Sequence, residues 1–292
     1  MIEFNHLSPA NTHSTLAKFN HQRWMPAFID ADWPKKMQED TIHLLEEGAF
    51  IESLRSDVQG QLIAMPKQPE AFMHWFEALK INGPGQGDLL FPWLAERATY
   101  DEMCWFLNQE AAGEAGFDDL VALTQVKIPE KAKLEMARNF WDEMGRGNET
   151  GMHGPMLAAV VSDLNLTPSI DDTVWESLAL ANLMLGMASN RRYAYQSIGA
   201  LGVVEMTAPT RVSFVNEGLK RLQIPFKTRQ YFQLHATLDV KHSEAWNTEV
   251  IYSLIKSDPN IAKPIAEGAL MRLHCGAKCF ARYRAHFGIN AT

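Results

Sequence analysis

The segment His235-Ala-Thr-Leu-Asp239-Val-Lys-His242 constrains this chain more tightly than any other. At about 100° per residue, a helix puts His235, Asp239 and His242 on one stripe roughly 60° wide and about two turns long. Leu234, Leu238 and Trp246 flank the stripe, so it faces an apolar interior. A carboxylate taken out of water there needs a compensating partner. Two imidazoles and a carboxylate on one rigid face suit a borderline divalent ion such as iron, manganese or zinc. The competing reading is a pair of hydrogen-bonded core histidines, which leaves the third polar residue on the stripe unexplained. Either way, other helices must cover this face.

The rest of the chain supplies them. Helical periodicity dominates and convincing strand alternation is nearly absent. Helices are expected over 35–54, over 69–81 with Phe72, Trp75, Phe76 and Leu79 inward, and over 89–112 after the break Asn82-Gly-Pro-Gly-Gln-Gly87. Another opens at Pro129 and runs to Gly145-Arg-Gly147, where two glycines in three residues loosen or stop it. One starts at Asp171-Asp172, one runs unbroken over 227–256 and the last covers 264–287, while Thr207-Ala-Pro209 reads as a break. The expected fold is an all-α bundle of roughly eight to ten helices in a single domain over 1–292. Residues 1–80 form an N-terminal helical extension on a core at 81–292.

The bulk numbers narrow the partners. A net charge of −8 gives no electrostatic footprint for nucleic acid or an anionic membrane. The start, Met1-Ile-Glu-Phe-Asn-His6, lacks the basic-then-apolar pattern of a secretory leader, and no apolar run approaches the roughly 18 residues of a membrane span. Cys104, Cys275 and Cys279 make an odd set with no disulfide framework, so a reducing cytoplasm is expected. The partner that remains is a small-molecule substrate, with a homodimer as the assembly to consider.

Other candidate ligands stand in apolar helical surroundings. Glu110 ends the aromatic-rich Cys104-Trp-Phe-Leu-Asn-Gln-Glu110, Glu143 follows Phe140-Trp141-Asp142, and His153 comes ten residues later. Glu205 is the most telling, because it is the only charge between Arg192 and Arg211 and a buried carboxylate must be compensated. Glu110 and Glu143, taken singly, fit a surface or helix-dipole role as well. With Asp239 and the three histidines, the set holds four carboxylates and three imidazoles. Four negative ligands neutralise two divalent cations, and seven ligands leave open positions on both, as in dinuclear sites of helix bundles. The step from Glu143 to His153 falls about 80° off a straight helical face, so the two can serve one site only if the backbone deviates between them, for which the glycine pair is the candidate device.

The order Glu110, Asp142-Glu143-x-Gly-x-Gly, His153, Glu205, His235-x3-Asp239-x2-His242 resembles the heme-oxygenase-like di-iron oxidases and oxygenases, the iron-containing redox enzymes, over about residues 88–256. The resemblance implies a heme-oxygenase-like helical bundle with extra N-terminal helices. It also implies two Fe(II) ions, for which Mn or Zn could substitute, and O2 as co-substrate. Glu110, His153 and His242 would hold one iron, Glu205, His235 and Asp239 the other, and Glu143 would serve the second or bridge both. A small organic substrate would be oxidised by carbon–carbon cleavage, desaturation or nitrogen oxygenation. No catalytic group beyond the ligands can be singled out. The two Glu-x-x-His motifs that a ferritin-type site needs are not both found in the sequence. The alternative is a non-enzymatic helical protein that binds or stores metal or serves interaction. Trp105, Phe140, Trp141, Met144, Met156, Met184 and Met206 are candidates for a pocket lining, though they read first as core filler. Arg146 or Arg211 could meet a substrate carboxylate, or pair structurally with a glutamate.

Overall fold

Apolar residues recurring every three or four positions can be buried only if the backbone satisfies its own polar groups, which a helix does. The computed structural model describes residues 8–28 and 32–290; Met1–His6, read above for a leader, lie outside them. Among the described residues every regular element is helical. In order these are α1 (Pro9–Trp24), α2 (Trp33–Val58), α3 (Pro69–Asn82), α4 (Leu90–Glu96), α5 (Tyr100–Ala112), α6 (Phe117–Thr124) and α7 (Glu130–Glu143). They are followed by α8 (His153–Asp163), α9 (Trp175–Ser189), α10 (Ala194–Arg221), α11 (Phe226–Ala245), α12 (Tyr252–Ser257) and α13 (Ala262–Phe287). None of them is long and apolar enough to cross a membrane.

Among the described residues there are thirteen helices against the expected eight to ten, and two of the additional boundaries come from interrupted periodic stretches. The stretch 89–112 divides at Thr99, whose backbone N–H donates to Glu102 Oε2 at 2.8 Å while its hydroxyl accepts from the Glu102 N–H at 3.3 Å. This reciprocal box starts a new helix inside an apolar repeat. The stretch 227–256 is broken by one π-helical turn, Trp246–Ile251, between α11 and α12. The opposite correction applies at Thr207-Ala-Pro209, where α10 runs straight through. Pro209 has no N–H, so the main-chain carbonyl of Glu205, four residues earlier, loses its helical donor.

Helix α10 is the axis of the molecule and packs most extensively against α11 and α13. The α10–α13 crossing brings the two backbones into contact. A Cβ on Gly199 would collide with the Ile265 carbonyl, and one on Gly268 with that of Gln196. On the adjoining face the fully buried Trp246 donates its indole N–H to the Ile198 carbonyl at 3.2 Å and packs beside Gly202. This tight centre fixes the height at which Glu205 on α10 and the stripe on α11 meet. At the N-terminal end, α1 lies against α9 and α2, while α2 lies against α9 and α13. Buried acids in this layer are matched: Glu47 pairs with Arg23 at 2.6 Å. Glu267 accepts from Arg55 at 3.0 Å, Gln59 at 3.0 Å and Gln196 at 2.9 Å.

Two outcomes follow from this packing. Gly268→Ala forces the α10 and α13 backbones apart and should lower unfolding stability by about 1–3 kcal/mol or more; an unchanged urea midpoint would contradict the crossing. His13 is buried, stacked on Trp175 with ring centroids 5.6 Å apart. Burial, aided by the charge of Lys278, pushes its pKa down to about 4. The folded chain therefore keeps His13 neutral while the unfolded chain protonates it near 6.5, so its stability is present above pH 6.5 and is lost as pH falls towards 4. The span corresponds to on the order of 3 kcal/mol. Urea titrations between pH 6.5 and 4 should show a shallower acid decline for His13→Leu than for the parent, and parallel declines would refute the assignment.

Candidate metal centre

Glu143 is the last residue of α7, and the chain then turns through three consecutive left-handed residues, Gly145 (φ +59°), Arg146 (φ +52°) and Gly147 (φ +85°). A Cβ at Gly145 would sit 2.6 Å from the Gly151 carbonyl carbon, so this turn requires glycine. Helix α8 begins anew at His153, which brings its imidazole back onto Glu143 with Nδ1 3.0 Å from Oε2. The angular mismatch noted in the sequence is resolved by ending one helix and starting another.

Across from this corner, α11 presents its stripe and α10 presents Glu205. Glu143, His153, Glu205, His235, Asp239 and His242 are all buried, none more than 7% exposed. His235 Nε2 lies 3.0 Å from His153 Nδ1 and 3.9 Å from Glu143 Oε2. His242 Nδ1 lies 3.7 Å from Glu143 Oε1 and 3.7 Å from Glu205 Oε1. Two ligand triads result, Glu143–His153–His235 and Glu143–Glu205–His242, with the ligand atoms of each within 4.8 Å of one another. Glu143 belongs to both. The two stripe histidines are thus divided in the reverse of the expected way, His235 with His153 and His242 with Glu205. Asp239 faces the same cavity.

Glu110 joins neither triad. Its Oε1 accepts a hydrogen bond from the Tyr283 hydroxyl at 2.9 Å, and it borders a small cavity of about 50 Å³ beside Tyr231 and Phe232. The neighbouring acid, Glu114, instead stands 3.9 Å from His153 Nε2 and lines the cavity that holds the cluster. It was missed because the helical pattern stops at Ala112, one residue before Gly113. The signal was there, since Glu110 and Glu114 are four residues apart.

Neighbours hold the imidazoles in place. His235 Nδ1–H donates to the Tyr231 carbonyl at 2.7 Å, which leaves Nε2 facing the cluster. His242 Nε2–H donates to Asp142 Oδ2 at 3.2 Å, which leaves Nδ1 facing it. Asp142 in turn accepts from Arg146 Nε at 2.6 Å. Such outer hydrogen bonds are the usual device that fixes tautomer and orientation of ligating histidines. His153 is braced by the Tyr231 hydroxyl, 3.2 Å from its Nε2.

The electrostatics show a cluster short of positive charge. Burial raises Glu205 well above the usual carboxylate range, with Asp239 and Glu143 adding to the rise, and its single hydrogen bond from Asn139 at 2.5 Å does not offset them. Burial also lifts Asp239 to about 6, against the pull of His235. Burial works against Glu143 too, but the hydrogen bond from His153 at 3.0 Å and the nearby His235 imidazole override it and hold its carboxyl far below the normal range. His153 is lifted to about 9 because its hydrogen bond to Glu143 and the charge of Glu114 outweigh burial. Asp239 Oδ1 and His242 Nδ1 are buried without any hydrogen-bond partner. Glu47 and Glu267 each have an arginine; among the described residues Glu143 and Glu205 have only histidines as cations within 4.0 Å, and Asp239 has none. Orphaned donor atoms, excess buried negative charge and a carboxylate–imidazole donor set fit borderline divalent metal ions.

The cavity beside the triads has a volume of about 170 Å³, and its wall includes Phe117, Val204, Ala208, Val212, Tyr231, Arg211 and Arg272. None of the aromatic or methionine residues expected from sequence lines it. Trp141 is 54% exposed, Trp105 stacks on His286 at 3.7 Å, and Met184 and Met206 are buried in the core. Of the two candidate arginines, Arg146 is engaged with Asp142 at the surface and Arg211 faces the cavity. Arg272 was overlooked, although a lone charge in Ala269-Leu-Met-Arg-Leu273 carries the same signal as Glu205. A larger cleft of about 600 Å³, between α1, the α5–α6 region and α9, shares Glu114 as a wall with the metal-site cavity.

Comparison with known proteins bears on this geometry. The model of a family described as iron-containing redox enzyme matches residues 104–277, a span containing every residue of both triads. A crystal structure of a domain of unknown function with a heme oxygenase-like fold, from Shewanella denitrificans OS217, superposes with a TM-score of 0.52. It is 12% identical, and the match covers 75% of this chain and 92% of that one. No curated protein matches. With a helical bundle of that fold and a family match over more than half its length, the chain belongs to the iron-containing redox enzymes, a heme oxygenase-like family of oxidoreductases.

Proposed function

We propose that this chain is a non-heme di-iron oxidase or oxygenase that uses dioxygen to oxidise a small organic substrate. The observation that carries the reading is Glu143, one buried carboxylate shared by two ligand triads. Each of its oxygens addresses a different histidine, Oε2 towards His153 and Oε1 towards His242. Glu143 is therefore assigned as the bridge, Glu205 and His242 to one iron, and His153 and His235 to the other. Asp239 completes the set from α11, and Glu114 takes the place beside His153 that the family resemblance would give to Glu110.

Bound iron would supply the reduction of dioxygen and the oxidising power applied to the substrate. The chain does the rest. Asp142 and the Tyr231 carbonyl hold His242 and His235 in the tautomers that turn a lone pair inward. Phe117, Val204, Ala208 and Val212 give the cavity an apolar wall that limits water. Carbon–carbon cleavage, desaturation and nitrogen oxygenation all suit a cavity of this size beside paired metal ligands.

Reconstitution with ferrous iron under argon, followed by plasma emission analysis, should give two irons per chain. Glu143→Ala should fall below one, and Glu114→Gln should lose iron where Glu110→Gln does not. One iron in the parent, or full iron in Glu143→Ala, would sink the bridging assignment. Iron uptake with no dioxygen consumption on mixing would favour a non-enzymatic metal-binding role over catalysis.

A pH dependence follows from His153. Its proton is held up to about pH 9, and a metal must displace it. Apparent metal affinity should therefore rise with pH between about 6 and 9, by roughly tenfold per unit for each displaced proton, and level off above. Zinc competition against a chromophoric chelator measures this, and a flat profile would contradict it.

A further inference from the structure

We propose that Arg211 and Arg272 together form a carboxylate-binding subsite in the cavity beside the metal ligands, specifying a small monocarboxylate with a short apolar chain as substrate. This rests on the reading of that cavity as the reaction chamber. Arg272 is only 8% exposed, and its Nε and Nη1 are buried without a hydrogen-bond partner, as is Arg211 Nη1. Among the described residues neither guanidinium has an acid within 4.0 Å, whereas the part-buried Arg23 and Arg55 are matched to Glu47 and Glu267. The fold therefore pairs those two arginines and leaves Arg211 and Arg272 unpaired where they face one cavity.

Their surroundings do not settle the charge. Arg211 rests over the Phe280 ring at 5.5 Å, which contributes a cation–π contact but no hydrogen bond. Glu110 attracts both guanidiniums, yet its Oε1 is taken by Tyr283. Burial, and then repulsion from Arg272, lowers the pKa of Arg211 well below its ordinary value. An anion between the two relieves both effects, and the planar guanidinium fork matches a carboxylate in a bidentate geometry.

Size and lining narrow the anion. A volume of about 170 Å³ is close to that of an engineered apolar cavity of about 150 Å³ that holds benzene. Val204, Ala208, Val212 and Phe117 offer hydrocarbon walls, so the ligand combines one anionic head with a chain of a few carbons. Phosphate has the charge and lacks the chain.

The test is calorimetric titration of the full-length chain with hexanoate, in the anaerobic iron-loaded state and after chelation. Hexanoate should bind both states, hexanamide at least tenfold more weakly, and inorganic phosphate more weakly than hexanoate. Arg272→Gln and Arg211→Gln should each weaken hexanoate at least tenfold, Arg272→Lys less, and the surface variant Arg138→Gln not at all. Because an unpaired buried charge opposes folding, Arg272→Gln should keep or raise the melting temperature and retain the parent's iron content. If it does not fold, Arg211→Gln decides by the same titration. Equal hexanoate affinity in both glutamine variants, equal affinity for hexanamide, tighter binding of phosphate, or binding that vanishes on chelation would each overturn the proposal. Iron content is read on the parent and hexanoate binding on the chelated chain, so the subsite and the di-iron reading can fail separately.

Discussion

Three carboxylates buried in one place without a guanidinium or ammonium partner set the terms for this molecule. Glu143, Glu205 and Asp239 converge from α7, α10 and α11, and among the described residues only imidazoles approach them as cations. Desolvation of an unpaired ion costs several kcal/mol even after relaxation. The surrounding core must be stable enough to hold the cluster together, and the cluster gains most from a divalent cation. Glu47 and Glu267 show the alternative, acids at similar depth closed off by arginines and amides. The contrast separates structural acids from those prepared for something that binds.

Helix α10 converts that requirement into a working geometry. Its glycine-lined half packs backbone to backbone against α13 and around Trp246. The next turns expose Val204, Glu205, Ala208, Arg211 and Val212 to the cavity at helical spacing. One helix thus delivers a metal-ligand candidate, an apolar wall and a buried cation to the same space. Pro209 sits among them and releases the Glu205 carbonyl from the helical ladder. The left-handed corner at Gly145-Arg-Gly147 does the complementary task on the other side, returning His153 to Glu143.

Much of this was legible in the residues themselves. The stripe on α11 follows from period alone, and Glu205 from the absence of any other charge near it. The need for a backbone break between Glu143 and His153 follows from angle. What escaped depended on departures from ideal helices. The box at Thr99 and Glu102 was concealed in a continuous apolar repeat, and the π turn at Trp246–Ile251 has no signature in the residue pattern. Glu114 lies just past the end of α5, beyond where periodicity can place it. The division of His235 and His242 between the two triads depends on how α8 and α10 sit against α11, a tertiary relation that spacing within one helix does not encode. Arg272 was legible by the same rule that found Glu205, applied to a positive charge.

Under the proposed function, Glu143 would stand between two metal ions. Crystals of the chain grown or soaked anaerobically with ferrous iron, measured at the iron absorption edge, test it directly. Two anomalous peaks should flank the Glu143 carboxylate, one beside His153 and His235 and the other beside Glu205 and His242. A single peak, or a pair that leaves Glu143 outside its coordination, would contradict it.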